Sequence, residues 1–110
     1  MTPLRRGDIW IASAGSTTGK PRPWIIFRAD IFSEYNSITM IPLTSQAAEG
    51  PTRVFIPADD VSGIDFPSYA MTDKVHTHKY SVLGTHCGRV TAEQLTDIER
   101  AVLTYLGITR

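Results

Sequence analysis

The sequence has little cysteine, no long apolar run and no recognisable leader. Its single cysteine, Cys87, excludes an internal disulfide and fits a reducing cytoplasm. An idle or buried thiol explains this cysteine better than a nucleophile does. No apolar run approaches the ~20 residues that a membrane-spanning helix needs. The basic N-terminal residues are not followed by the apolar stretch of a signal peptide. We therefore expect a cytoplasmic protein without a membrane partner.

The sequence also lacks a charge surplus, because 11 basic and 11 acidic residues cancel. This balance argues against a general nucleic-acid-binding protein, which usually carries excess positive charge. The charges are nevertheless unevenly distributed, since residues 31–73 hold six acids and one arginine while both ends are basic. A basic patch built from the two ends and a mixed solvated surface remain equally open interpretations.

Signatures for a metal or a bound nucleotide are missing as well. His76 and His78 share one face if they lie on a strand, but no acid near them completes a known ligand pattern. Lys20 is followed by Pro21, which excludes a P-loop after Gly15 and Gly19. We therefore expect no metal and no cofactor.

Short strands separated by turns dominate the remaining pattern. Apolar and β-branched runs predict strands over 8–12, 23–28, 37–44, 53–57 and 68–77, with a helical turn over 30–36 and a segment from Tyr80 to Gly84 before a short turn. The loops over 13–21, 46–52 and 59–67 are rich in small and turn-forming residues. Pro42 must lie where no ladder donor is needed. Nothing divides the chain, so we expect one domain over residues 1–110.

A terminal amphipathic helix is the clearest local signal. Thr91 is a typical N-cap, and Gln94 stands where it completes a capping box. Leu95, Ile98, Val102, Tyr105 and Leu106 recur at helical spacing, and Gly107 ends the pattern. Several short strands followed by one helix predict a small α+β barrel.

Two polar positions stand at strand ends. Arg22 lies between Pro21 and Pro23, which stiffen the backbone, and a guanidinium held there suits bidentate phosphate binding. Thr44 and Ser45 end another strand with hydroxyls of the kind that hold phosphate oxygens. A plain surface charge is the competing interpretation of Arg22, and core packing is the better one for Trp24 and Phe27.

An ordered set of segments resembles the MazF/PemK family of toxins. The segments are Arg6-Gly7-Asp8-Ile9-Trp10, Arg22-Pro23-Trp24-Ile25-Ile26-Phe27, Ile41-Pro42-Leu43-Thr44-Ser45, the run from Ser68 to Val75, and the helix with its Leu106-Gly107-Ile108 ending. They run in order from Arg6 to Ile108 with similar spacing. No single segment is specific, but the ordered set is.

The resemblance implies an SH3-like β-barrel with a C-terminal helix, a homodimer and a metal-independent endoribonuclease. It also implies a cognate antitoxin whose tail covers the site for single-stranded RNA. Arg22 and Thr44 match the family's catalytic residues. We expect Lys20, Ser45, Asp73, Lys74 and His76 to contact RNA, although a structural salt link is an equal alternative for Asp73 and Lys74.

Two departures from the family pattern leave other functions open. Met71 stands where some branches have an arginine, so an acid–base scheme using that arginine cannot be transferred. The loop from Ser13 to Lys20 lacks the usual Gly-Gln-Gly-like run, so the RNA sequence cut cannot be inferred. The alternatives are a CcdB-like toxin that binds gyrase without cleaving RNA and a catalytically eroded barrel that only binds a partner.

Overall fold

The structure is a computed structural model that describes residues 4–14, 20–46 and 50–108. Parts of the predicted loops, residues 15–19 and 47–49, lie outside the described residues. The described elements are β1 (Asp8–Ala12), β2 (Arg22–Ile26), a 3-10 turn (Asp30–Phe32), β3 (Ser37–Thr44), β4 (Arg53–Ile56), β5 (Ser68–Met71), β6 (His76–Lys79), a second 3-10 turn (Tyr80–Val82), β7 (Leu83–Arg89) and α1 (Ala92–Tyr105). The predicted α+β class, a small barrel-like sheet with one C-terminal helix, is confirmed.

Strand β3 is the centre of an antiparallel sheet with the order β4-β5-β3-β2-β1-β7. One edge of β3 pairs with β2. Its other edge pairs first with β6, over Ser37 to Met40, and then with β5, over Leu43 and Thr44. One strand therefore connects the part of the sheet that contains β4 and β5 with the part that contains β6.

Pro42 lies where β3 changes its partner. Phe27 N–H donates to Thr39 O at 2.9 Å, so odd-numbered residues of β3 direct their backbone groups towards the β2 side. The nitrogen of Pro42 therefore faces the opposite edge, between Met40, which pairs with β6, and Leu43, which pairs with β5. The missing donor falls in this gap, as expected for a proline that must not interrupt a ladder.

The sheet buries side chains on both faces because residues alternate along each strand. One cluster contains Ile9, Ile25, Ile41, Leu43, Ile56, Ile64, Ala70, Val90, Ile98 and Val102. The other contains Ala12, Ala14, Trp24, Ile26, Ile38 and Met40. The continuous apolar run of β2 thus supplies both clusters, and the prediction that Trp24 packs in the core is confirmed.

Helix α1 begins and ends with the predicted signals. Thr91 Oγ1 accepts from Gln94 N–H, and the Gln94 side chain accepts from Thr91 N–H, which completes the capping box. At the other end Gly107 N–H donates to Thr104 O and Ile108 N–H to Leu103 O, a Schellman motif. Within the described residues, no helix is long and apolar enough to cross a membrane.

The predicted apolar face of α1 is too long. Ile98 and Val102 are buried and Leu95 packs against the first cluster, but Tyr105 and Leu106 are exposed. Helical spacing identifies the face of a helix, but it does not reveal how far the sheet beneath that face extends.

One strand prediction was wrong, and one strand was not predicted. The single strand over 68–77 is two strands, β5 and β6, separated by a turn in which Lys74 N–H donates to Met71 O at 2.9 Å. Before this turn the chain pairs with the C-terminal part of β3, and after it the chain pairs with the N-terminal part. Strand β7 was missed, because its residues are largely exposed and include two glycines, which are rare in strands.

The segment from Val61 to Gly63 lies directly against β7. Arg89 N–H donates to Val61 O at 2.9 Å, and a Cβ added at Gly63 would stand 2.0 Å from Cys87 O. Gly63 also has a φ of 67°, in the left-handed region. Only glycine meets both requirements, so Gly63 fixes the distance between this loop and the sheet.

We expect Gly63→Ala to lower the free energy of unfolding by more than Gly107→Ala does. Both glycines have positive φ, but a Cβ at Gly107 has nothing within 4 Å. Gly107→Ala is the control and measures the cost of placing alanine at a positive φ, about 1–2 kcal/mol. Gly63→Ala adds to this the cost of overpacking against Cys87, about 1–3 kcal/mol. Urea unfolding of both variants measures the difference. Equal losses would contradict the close approach to Cys87.

Candidate active site

A groove of about 960 Å³ opens between the ends of β2 and β3, the loop after Gly63, and β7. One wall consists of Lys20, Pro21, Arg22, Thr44, Ser45 and Gln46, and the other of Gly63, Asp65, Phe66, Thr85 and His86. Apolar residues lie between them, namely Ile11, Pro23, Leu43, Ile64, Met71 and Cys87, together with Ser68. The groove is therefore a polar cleft above the open end of the first core cluster.

Arg22 and Thr44 occupy adjacent strand ends in this groove. Trp24 of β2 pairs with Pro42 of β3. Continuing this register by two residues brings Arg22 opposite Thr44. Neighbours across an antiparallel pair have Cβ atoms roughly 4.5–5.5 Å apart. Ala12 pairs with Arg22 on the other side, and Thr44 pairs with Tyr69. The ladder with β1 therefore holds Arg22, and the ladder with β5 holds Thr44, so two residues that the sequence singled out separately stand at neighbouring strand ends.

The hydroxyl of Thr44 accepts a hydrogen bond and keeps its own proton available for donation. Its Oγ1 accepts a hydrogen bond from Gln46 N–H at 3.2 Å. A hydroxyl has one proton and two lone pairs, so the proton is left for another acceptor. Beside a half-buried guanidinium, this gives the groove two kinds of donor for the oxygens of a phosphate.

Lys20 and Ser45 line the same wall and are exposed. Three of the predicted RNA contacts lie elsewhere, since Asp73, Lys74 and His76 are not among the residues that line the groove. The Asp73 carboxylate forms an ion pair with Arg53, and both side chains are largely buried. This contact is the structural salt link that the sequence left open.

Cys87 and the histidines do not form a catalytic pair or a metal site. Burial raises the pKa of the Cys87 thiol, and the nearby Asp65 adds to the rise, so the thiol is protonated at neutral pH. Among the described residues, no group of three His, Cys, Asp or Glu side chains is arranged to hold a metal ion.

The three histidines pack on tryptophans instead. The rings of His76 and His78 lie 5.8 Å apart and both contact Trp24, with centroid distances of 6.3 and 5.3 Å. Burial lowers the pKa of His78, and neighbouring His76 lowers it further. His86 stands at the margin of the groove, where its ring lies 5.2 Å from that of Trp10.

Asp65, Phe66 and Gln46 are groove residues that the sequence analysis did not single out. Asp65 and Phe66 belong to a segment predicted only as a turn-rich connection, and their place opposite Arg22 depends on the fold. The one local signal was an aromatic residue inside a turn-rich segment.

The sequence from residue 5 to residue 106 matches the family described as PemK-like, MazF-like toxin of type II toxin-antitoxin system. The chain belongs to this family. A relative at 38% identity over 107 residues is named probable endoribonuclease MazF, from Mycolicibacterium smegmatis. That similarity covers 96% of this chain and 98% of the relative.

Solved structures of MazF-like toxins share the fold. An endoribonuclease from a mycobacterial species, in complex with its cognate antitoxin, has a TM-score of 0.82 at 25% identity and 99% coverage of both chains. The toxin MazF-mt6 from Mycobacterium tuberculosis has the same TM-score at 24% identity, covering 94% of this chain and 99% of that one. Membership in the PemK/MazF-like family does not favour the gyrase-binding alternative.

Met71, which departs from the family pattern, lies on the groove. It is buried and carries no titratable group, so this PemK/MazF-like chain has no proton-transfer group at that position. Its side chain instead adds to the apolar residues that line the groove.

Asp73→Asn separates the structural role of Asp73 from an RNA contact. Removing the charge that pairs with Arg53 should lower the free energy of unfolding by on the order of 1–2 kcal/mol, between the values for exposed and buried pairs. RNA binding should not change. Lys79→Ala, which removes an exposed cation on the neighbouring strand β6, is the matched control and should leave stability unaltered. Weaker RNA binding by Asp73→Asn at unchanged stability would instead identify Asp73 as an RNA contact.

Proposed function

We propose that this PemK/MazF-like chain is a sequence-selective, metal-independent endoribonuclease toxin that cleaves single-stranded RNA in the groove. The observation that carries the proposal is that Arg22, at the start of β2, and Thr44, at the end of the neighbouring strand β3, line the same groove. Family membership and a relative named as a probable endoribonuclease support it.

The reaction is attack of a ribose 2′-oxygen on the adjacent phosphorus. The bond from phosphorus to the 5′-oxygen of the next nucleotide breaks as the new bond forms. One proton leaves the 2′-oxygen and one is gained by the 5′-oxygen. The products are a 2′,3′-cyclic phosphate and a 5′-hydroxyl end.

Arg22 and Thr44 stabilise the transition state of this reaction. The phosphorane-like transition state gains charge on its non-bridging oxygens that the ground state lacks. The Arg22 guanidinium donates to those oxygens with two parallel N–H groups, and the free proton of Thr44 donates to one of them. Lys20 and Ser45, on the same wall, bind the RNA backbone on either side of the reacting phosphate.

The matched pair Arg22→Ala and Arg100→Ala tests this role. Loss of one donor to a developing oxyanion costs on the order of 10²–10³ in rate, so we expect at least that loss for Arg22→Ala. Arg22→Lys should recover only part of the rate, because an ammonium lacks the planar fork. Arg100 is exposed on α1 away from the groove, and its variant should cut like wild type.

The assay is digestion of a long single-stranded RNA in EDTA, with the fragment 5′ ends mapped. Cuts at a recurring short motif, with 5′-hydroxyl ends, are the expected result. RNA left intact by folded wild type would contradict the proposed activity and favour an eroded barrel that only binds a partner.

We further propose that the whole chain acts as one domain in a homodimer and that a cognate antitoxin covers the groove. A solved relative in complex with its cognate antitoxin supports the second proposal. We assign the action to the cytoplasm, where the RNA substrate is found and a single cysteine stays reduced.

The dimer has a direct test. A chain of 110 residues buries a modest core, and an interface between two copies adds to its stability. Light scattering of the purified protein at micromolar concentration should give twice the 12.2 kDa mass of the chain. A mass of one chain at that concentration would contradict the proposal.

A further inference from the structure

Phe66 is a large aromatic side chain that is exposed inside the groove. It is 68% exposed and lies on the wall opposite Arg22. Single exposed apolar side chains are common on protein surfaces. This one differs because it borders a polar cleft and is held by a well-anchored backbone.

The backbone around Phe66 is fixed from both sides. The buried Ser68 hydroxyl donates to Phe66 O at 2.8 Å. On the N-terminal side, Gly63 N–H donates to Asp59 O at 2.9 Å, and Ile64 is buried in the first core cluster. Pro67 restricts the residue before it. The backbone of Phe66 therefore loses little conformational freedom when a ligand contacts the ring.

The two walls of the groove carry side chains of opposite charge. Lys20 and Arg22 are on one wall, and Asp65 stands beside Phe66 on the other. A bound strand of RNA lowers its electrostatic energy with phosphates towards the basic wall and away from the Asp65 carboxylate. Its bases then point towards Phe66, which offers an aromatic face.

We propose that Phe66 is a stacking platform for one unpaired base of the RNA strand whose phosphate lies at Arg22 and Thr44. This inference rests on the proposed function and names the residue that orients its substrate. Proteins read single-stranded RNA largely by stacking splayed bases on aromatic side chains, and every base has a face that can stack. Phe66 is a positioning residue, since it contacts a base and not the reacting atoms.

The test measures binding separately from cleavage. RNA with methylated 2′-oxygens cannot be cleaved, so fluorescence anisotropy reports its binding to wild type and variants alike. Phe66→Ala should weaken binding roughly 5- to 150-fold, the range that loss of one stacked base produces. Phe66→Trp should restore it. Phe55→Ala, which truncates another exposed phenylalanine that does not line the groove, is the matched control and should bind normally.

A scan of abasic nucleotides identifies the contact. Removing one particular base should weaken binding to wild type but cause no further loss with Phe66→Ala, because that partner is already missing. Urea unfolding checks the fold, and a 68% exposed side chain should leave the unfolding midpoint nearly unchanged.

The outcomes distinguish this proposal from the proposed function. Wild-type affinity of Phe66→Ala, or losses that add at every abasic position, would overturn the stacking platform while cleavage by wild type still supports the ribonuclease. Wild type that neither binds nor cuts RNA would overturn both.

Discussion

The pairing of β3 with three other strands is the constraint on which the rest of the structure depends. Its first half pairs with β6, its second half with β5, and its opposite edge with β2. Because successive side chains of β3 point to opposite faces, the strand contributes residues to both core clusters. Pro42 lies where the partner of β3 changes from β6 to β5. Because Thr44 is the last residue of β3, the same pairing also sets where its hydroxyl meets the groove.

In the proposed function, the two walls of the groove perform different physical tasks. The wall with Arg22 and Thr44 consists of strand ends, where the ladder with β1 fixes Arg22 and the ladder with β5 fixes Thr44. The wall with Asp65 and Phe66 is a loop, anchored by Gly63 against β7 and by Ser68. Charge stabilisation requires donors fixed in advance, which ladders provide. Contact with a base requires an exposed ring, which a loop presents more readily than a strand of the core.

Much of the fold could be predicted where local signals agree with the tertiary structure. Strand β3 has its predicted bounds, and α1 has its predicted caps, because alternation and capping are local properties. Strand β7 could not be found this way, since Gly84 and Gly88 serve close backbone approach at the expense of strand propensity. Arg22 and Thr44 were singled out from their places at strand ends and assigned a catalytic role through the resemblance, but their positions at neighbouring strand ends follow only from the sheet pairing. Phe66 could not be assigned, because its position opposite Arg22 exists only in the folded chain.

The way the 63–66 loop is attached has a consequence for how such a toxin diversifies. Its fixed points are backbone contacts, two glycines, the buried Ile64 side chain and one serine hydroxyl, and none of them uses the side chains of Asp65 or Phe66. Substitutions at these two positions therefore leave the frame and the opposite wall intact. Under the proposed function, a lineage can change which RNA it prefers through these two surface residues, while the proposed catalytic residues Arg22 and Thr44 are inherited unaltered.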